Sequence, residues 1–364
     1  MHLIGRLFDG LVLCANMVML FIFMVSAYSD HISPKSSVYA SYLGILFPFF
    51  LVVVLLFMLY WVMRVKWYAL ISLFFLLGCW EPVTRYLPYH LGNQAPNENS
   101  IKLLTYNTCG LGRYNLSKAE KKNDVLEFIK SENPDIVCLQ EYSFDNRKGA
   151  MSEARIRKTL KSYPYYHFKP SSVNMKQSGL AIFSKYPIVK VKAIDYKSMY
   201  NSSCLYELDV NGKRITVINN HLESNKLSPE DRKFYDAMIM HFEAQKIDEF
   251  RNTLVNKLGN AYKIRAAQAE KLKGIIDNVK TPLIVCGDLN DTPISYCYQT
   301  IRGNMTDAFR NSGFGPGITY HENKFLFRID HIFHNDSLHS YNAKVHHVNW
   351  SDHYPVSVYM DLMN

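Results

Sequence analysis

Pro282-Leu283-Ile284-Val285-Cys286-Gly287-Asp288-Leu289-Asn290-Asp291 is an unbroken apolar run and a glycine, followed by two acids and an amide within four positions. An apolar run of this length, bounded by turn residues, reads as a strand. The polar side chains that follow such a strand project outside its carboxyl end, where α/β sheets bind ligands. The run predicts an architecture and a place for chemistry at once.

The pattern recurs in both directions along the chain. Asn107 closes residues 101–106, Gln140-Glu141 follow residues 136–139, and Asn220-His221 follow residues 214–219. Arg328-Ile329-Asp330-His331-Ile332 opens residues 329–333, and Ser351-Asp352-His353-Tyr354-Pro355 precedes residues 356–360. Further strand-like runs cover residues 179–183 and 205–210. Helical segments lie between them. Residues 118–130 place Val125, Leu126 and Ile129 on one face, and Asn133-Pro134 stops them. Ser228-Pro229-Glu230 is a capped helix start. Phe234, Met238 and Phe242, then Phe250, Leu254 and Leu258, recur every four residues, and residues 264–279 repeat the pattern. Mixed strands and helices on this scale predict a layered α/β sandwich. No repeat of 20–50 residues is evident.

Each polar border is ordinary alone: Asp-His shortly before proline is usually a turn, and a strand-end acid is usually solvated. Six together are hard to explain by packing. Several carboxylates without a thiolate suit a hard cation, and Mg2+ takes one or two carboxylates together with waters and phosphate oxygens. The histidines are too dispersed for a zinc cage, and H-E-x-x-H is absent. Acids and imidazoles beside a hydrated divalent ion can activate water and stabilise charge on a phosphoryl group, and an amide can donate to a non-bridging oxygen. These types point to metal-assisted hydrolysis of a phosphate ester.

Seven motifs carry a resemblance. They are Leu104-Thr105-Tyr106-Asn107, Cys138-Leu139-Gln140-Glu141, the stretch Ser178-Gly179-Leu180-Ala181-Ile182-Phe183 that runs on through Ser184-Lys185-Tyr186-Pro187-Ile188, Asn220-His221-Leu222-Glu223, Gly287 to Asp291, Arg328 to Ile332, and Ser351 to Pro355. In this order they resemble the endonuclease/exonuclease/phosphatase superfamily, from about residue 101 to 361. The resemblance implies a four-layered α/β sandwich of the deoxyribonuclease-I-like kind. It implies an Mg2+ cofactor, with Mn2+ as a substitute, held chiefly by Glu141 with Asn107 and Asp352 close to the ion or its waters. By the same resemblance Asp288 orients or deprotonates the attacking water, Asn290 contacts the phosphate, and His353 sits on the scissile phosphate with Asp330 fixing its tautomer. His221 is the second histidine, a general acid or transition-state stabiliser. Either Asp288 or His353 takes the proton, and Asp288 is the expected base. Asn-His-Leu at 220–222 resembles the deoxyribonuclease I, sphingomyelinase and deadenylase branches rather than exonuclease-III-like repair enzymes. Residues 227–259 read as an insertion, either a packing helix or a cover over the cleft.

The first hundred residues differ in kind. Of 364 residues 48% are hydrophobic, which excludes a disordered chain, and the mean hydropathy is near neutral only because the apolar content is front-loaded. Residues 10–28, 43–63 and 67–80 carry no charge, against the roughly 20 residues that a membrane helix needs. They predict a helical membrane anchor over residues 1–89 with about three transmembrane helices, the third short enough to be re-entrant or interfacial. The first run followed by Val25-Ser26-Ala27 also fits a signal peptide. Basic residues Arg6, Arg64 and Lys66 against Lys35 and Arg85 place the amino terminus inside. This predicts a multi-pass integral membrane protein with its catalytic domain, residues 101–364, on the extracytoplasmic side of a linker at 90–100. The catalytic part holds 36 basic and 28 acidic residues, a net +8, which favours anionic partners. The expected partners are the lipid bilayer and a phosphate-ester substrate, either nucleic acid or a phospholipid head group. A membrane-anchored binding module of the same fold without turnover is the alternative. Seven cysteines without a C-x-x-C argue against a disulfide framework.

Overall fold

Runs rich in Val, Ile and Leu become strands because such side chains fit a pleated surface covered on both faces. In chain order these are β1 (Ile101–Asn107), β2 (Ile136–Ser143), β3 (Tyr165–Pro170), β4 (Ser178–Ser184), β5 (Ile188–Asp195), β6 (Ser202–Val210), β7 (Lys213–His221), β8 (Leu283–Asp288), β9 (Thr306–Asp307), β10 (Asp330–His334), β11 (Leu338–Val345) and β12 (Val356–Leu362). The computed structural model describes residues 2–113, 116, 122–172, 174–196, 198, 200–225, 247–322 and 326–363. One six-stranded sheet runs β11-β12-β1-β2-β4-β3, the other β5-β6-β7-β8-β10-β9.

Alternation along each strand sorts the side chains into layers. Ile136 and Cys138 of β2 share a central core with Tyr206, Val217, Ile284 and Cys286 of the other sheet. Their neighbours Val137 and Leu139 point outward onto Val125, Leu126 and Ile129 of helix Asp124–Glu132. On the far side Ile218, Val285 and Phe333 pack against Ala269, Leu272, Tyr298 and Ile301, from helices Ile247–Ile276 and Tyr296–Arg302. The order helix, sheet, sheet, helix is the expected four-layered α/β sandwich.

Helix Asp124–Glu132 starts where Asn123 accepts a hydrogen bond from the Leu126 amide, and it ends at left-handed Asn133 before Pro134. Part of the expected helix at 118–130 lies outside the described residues, as do Ser228-Pro229-Glu230, Phe234, Met238 and Phe242 and most of the expected insertion at 227–259. Residues 250–258 and 264–279, expected as separate segments, largely belong to one 30-residue helix. All seven cysteines are free.

The membrane arrangement needs correction. The described residues contain one helix, Gly5–His31, long and apolar enough to cross a membrane, or two such spans if a bent pair counts as one. The second expected span is broken into Val38–Ile45 and Phe47–Met63, bent by 54°. Pro48 opens the second of these, where its missing N–H is harmless. The third, Ala69–Gly78, has 10 residues, about 15 Å of helix against roughly 30 Å of hydrocarbon. Three crossings are therefore not formed. The multi-pass integral-membrane localisation falls with them, and so does the extracytoplasmic side, which depended on an odd number of crossings. Part of the apolar content serves packing instead. Leu20, Phe23, Ala27, Phe47, Leu51 and Val54 form a separate core that also takes in Ile294. Asp30 and Arg85 make a buried ion pair at 2.5 Å.

Candidate active site

Strand direction brings the polar borders together. β1 and β2 are parallel, with Asn107 opposite Gln140, and β7 and β8 are parallel, with His221 opposite Asp288. Parallel pairs deliver their carboxyl ends to one edge. The antiparallel neighbours deliver their beginnings to the same edge: β10 starts with Asp330 opposite Asp288, and β12 pairs Val356 with Thr105, three residues after His353.

Two backbone irregularities aim the side chains. Glu141 has φ +47° and lies where the pairing of β2 with β4 shifts between Leu139 and Tyr142. Such bulges redirect side chains beside sites. The Glu141 side chain is accordingly 43% exposed, while Gln140 is fully buried. Asn290 has φ +53°, which an asparagine tolerates, and its backbone N–H donates to Asp288 Oδ1 at 2.8 Å.

Asp288 Oδ2 is the meeting point. The Asn107 amide donates to it at 3.0 Å and to Glu141 Oε1 at 3.2 Å. Asn290 Nδ2 donates to it at 3.2 Å and to the Leu222 carbonyl at 2.9 Å. His221 Nε2 lies 3.7 Å from Asp288 Oδ2 and 3.6 Å from Glu141 Oε1. His353 Nε2 lies 3.8 Å from Asp288 Oδ2, and its Nδ1 donates to Asp330 Oδ2 at 2.8 Å. Burial pushes the Asp288 carboxyl up to about 6, against the pull of His353, while Asp330 adds to the rise. Burial lowers His353, but the Asp330 and Asp288 carboxylates outweigh it and hold the imidazole up to about 10. Asp352 is half-buried, with Oδ1 3.2 Å from Ser351 Oγ.

These residues fit a divalent cation. Asp288, Asp330 and His353 place ligand atoms within 4.8 Å of one another, and Asp330 Oδ1 is buried without a hydrogen-bond partner among the described residues. This grouping differs from Asn107, Glu141 and Asp352, the set expected from the sequence. Two atoms of the closer group, His353 Nδ1 and Asp330 Oδ2, already bind each other. On the Glu141–Asn107–Asp288 side an amide nitrogen sits between two carboxylates, and the Glu141 side chain is 43% exposed.

Several contacts around these residues could not be read from the sequence. Ser351 Oγ donates to the Asn107 carbonyl at 2.8 Å and accepts from the His353 amide, locking β1 to the histidine loop. The Tyr320 ring meets His353 edge-on at 5.1 Å. Gln140 donates to Asn219 Oδ1 at 2.7 Å, and Asn219 donates to the carbonyls of Leu139 and Ala181, stitching the two sheets beneath the site. Gln140 and Asn220 were strand-end signals, yet both point into the structure. A cleft of about 320 Å³ opens beside Glu141 and His221, with Ser178, Tyr200 and Asn201 among its walls. A larger hollow of about 620 Å³ lies against Val210 and Asp361 and touches none of these groups.

Comparison with known proteins bears on the family and the fold. The model of the endonuclease/exonuclease/phosphatase family matches residues 104–353, and that of a domain of unknown function (DUF8431) matches residues 9–86. The CCR4-Not complex 3'-5'-exoribonuclease subunit Ccr4 of Schizosaccharomyces pombe is 26% identical over 239 residues, 55% of this chain and 33% of that protein. Its Neurospora crassa counterpart is 24% identical over 264 residues, 57% of this chain and again 33% of that protein. The chain thus spans about a third of the length of these curated relatives. Among solved structures, the human Nocturnin catalytic domain with bound sulfate has 20% identity and a TM-score of 0.50, covering 73% of this chain and 95% of that one. ANGEL2, a 2',3'-cyclic phosphatase solved with adenosine-2',3'-vanadate, has 15% identity and a TM-score of 0.50, covering 74% and 97%. These two likenesses show the fold. With the family model spanning β1 to the His353 loop, the chain belongs to the endonuclease/exonuclease/phosphatase family.

Proposed function

We propose that this metal-dependent phosphoric ester hydrolase uses Mg2+, with Mn2+ as a substitute, to direct water at phosphorus in a phosphodiester or phosphomonoester. Nucleic acid and phospholipid head groups are the two substrate classes in view. The observation that supports this reading is the meeting of Asn107, Glu141, His221, Asn290 and His353 around one buried carboxylate, Asp288. No acid or histidine of the set is missing, so a binding module without turnover is set aside.

In this proposal Glu141 is the main ion ligand, with Asn107 and Asp352 on the ion or its waters. When bound, the ion withdraws charge from the phosphoryl oxygens and acidifies water. Asp288 accepts the proton of the attacking water. Asn290 orients Asp288 in the state described, and it reaches a phosphate oxygen only by releasing one of its two amide hydrogen bonds. His353, with Nδ1 held by Asp330, presents Nε2 to the scissile phosphate. His221 stands across from it as general acid or transition-state stabiliser. The division into residues 1–89, 90–100 and 101–364 belongs to this proposal. The test is turnover of bis-p-nitrophenyl phosphate by the full chain with Mg2+ and with EDTA. Turnover is expected only with the metal, and undiminished hydrolysis in EDTA would refute the reading.

The bilayer as a partner rests on the helix Gly5–His31, whose Leu7, Phe8, Leu11, Val18 and Phe21 are exposed. Apolar surface on this scale marks a contact site. Together with the net charge of +9, it leads us to expect the chain to float with anionic vesicles in a density gradient. A chain that stays at the bottom of the gradient, with the vesicles above it, removes lipid from the account.

A further inference from the structure

We propose that the N-terminal helices brace the two loops that flank Asp288 and Asp330, and so act as a positioning element for hydrolysis. The inference rests on the phosphoester-hydrolase reading of the site and adds a function to the matched segment at residues 9–86.

The first contact is Ile294. It lies four residues beyond Asn290, in the loop that leaves β8, yet its side chain belongs to none of the three cores of the catalytic sandwich. It is buried in the cluster of Leu20, Phe23, Phe47 and Val54. Gly44 of helix Val38–Ile45 lies so close that a Cβ there would overlap the Ile294 carbonyl oxygen and stand 2.8 Å from Ser29 Oγ. The second contact is Arg328, two residues before Asp330. Its buried guanidinium donates to the backbone carbonyl of Arg85. Arg85 is itself fixed by Asp30 at 2.5 Å and by Glu81 and Gln299 at 3.0 and 3.3 Å. The two loops also bind each other, since the Leu289 amide donates to the Ile329 carbonyl at 2.9 Å. A third tie runs through Arg265. Its Nε donates to Asp291 Oδ2 at 3.2 Å, and its guanidinium covers the Tyr262 ring, which meets Tyr42 edge-on at 5.9 Å.

These contacts fall on the chain segments that carry Asp288, Asn290 and the partner of His353. Displacing reacting groups by about 1 Å costs about 100-fold in rate, so a brace acting on these loops is read in kcat. Substitution of Asp30 or Arg85 is a poor test, because unpairing a buried charge costs about 3–5 kcal/mol. Gly44→Ala instead inserts one methyl group against the Ile294 carbonyl.

The experiment measures kcat and KM for metal-dependent hydrolysis by the full chain, with circular dichroism to confirm folding. Gly44→Ala is expected to lower kcat about tenfold and leave KM within about twofold of the parent value. Gly10→Ala, where a Cβ meets nothing within 4 Å, is expected to leave kcat unchanged. Should Gly44→Ala fail to fold, Arg328→Met and Arg328→Lys decide. The brace requires Met to lower kcat and Lys, which keeps a donor for the Arg85 carbonyl, to restore most of it. Folded Gly44→Ala with parental kcat overturns the brace, as does equal kcat in the two Arg328 variants. A parent chain that hydrolyses equally well in EDTA overturns the underlying reading instead, and the two failures are told apart by the parent alone.

Discussion

His353→Ala lowers kcat on a phosphodiester by about 1,000-fold while the chain stays folded. A positioned acid–base group contributes about 10²–10⁴-fold, and removal of one preorganised donor costs about 10²–10³-fold. The side chain is buried, bonded to Asp330 at 2.8 Å and in edge contact with Tyr320. Among the described residues its Nε2 has no hydrogen-bond acceptor at bonding distance, and Asp288 Oδ2 stands 3.8 Å away. A protein that held this imidazole for stability would be expected to satisfy both nitrogens. One nitrogen anchored and the other facing a carboxylate across an open gap is the arrangement of a group kept for a ligand. Asp330→Asn tests the same idea from behind. The amide can no longer stabilise the charged imidazole or hold its Nδ1–H tautomer, so kcat falls with little change in KM. Steady-state kinetics on folded variants checks both. His353→Ala within tenfold of the parent would remove the histidine from the chemistry.

The strands and their polar borders were legible because a strand buried on both faces leaves a continuous apolar signature, and whatever ends it stands out. Asp288 after Val285-Cys286 and Asp330 at the start of β10 are read this way. Which side chains face the cleft was less legible. Gln140 and Glu141 are adjacent and look equivalent, yet the left-handed backbone at Glu141 turns one outward and leaves the other bound to Asn219. No local pattern announces that bulge. The contact of Tyr320 with His353 and that of Ser351 with the Asn107 carbonyl were not legible for a different reason: they arise across long stretches of chain. The N-terminal region misled because length and apolarity describe lipid-facing and protein-facing helices alike. What separates them is the partner of each side chain. Ile294, more than 200 residues away in sequence, supplies part of that partner surface.

Glu141→Ala is expected to abolish the metal's effect on the protein as well as its chemistry. Turnover should fall about 1,000-fold, since charge stabilisation by a bound ion is worth several kcal/mol and about 4 kcal/mol corresponds to that factor. Thermal stability gives an independent readout. A ligand that binds the folded state raises the melting temperature, so saturating Mg2+ should stabilise the parent chain and leave Glu141→Ala unmoved. The same measurement decides between the two places where an ion could sit. If the ion occupies the group of Asp288, Asp330 and His353, Asp330→Asn loses the thermal response and Glu141→Ala keeps it. If it sits against Glu141 and Asn107, the pattern reverses. The second outcome is expected, because an ion in the first place would have to break the 2.8 Å bond between His353 and Asp330. In the second place it replaces only an amide N–H between two carboxylates, and the repulsion that the amide now relieves would be relieved more fully by two positive charges.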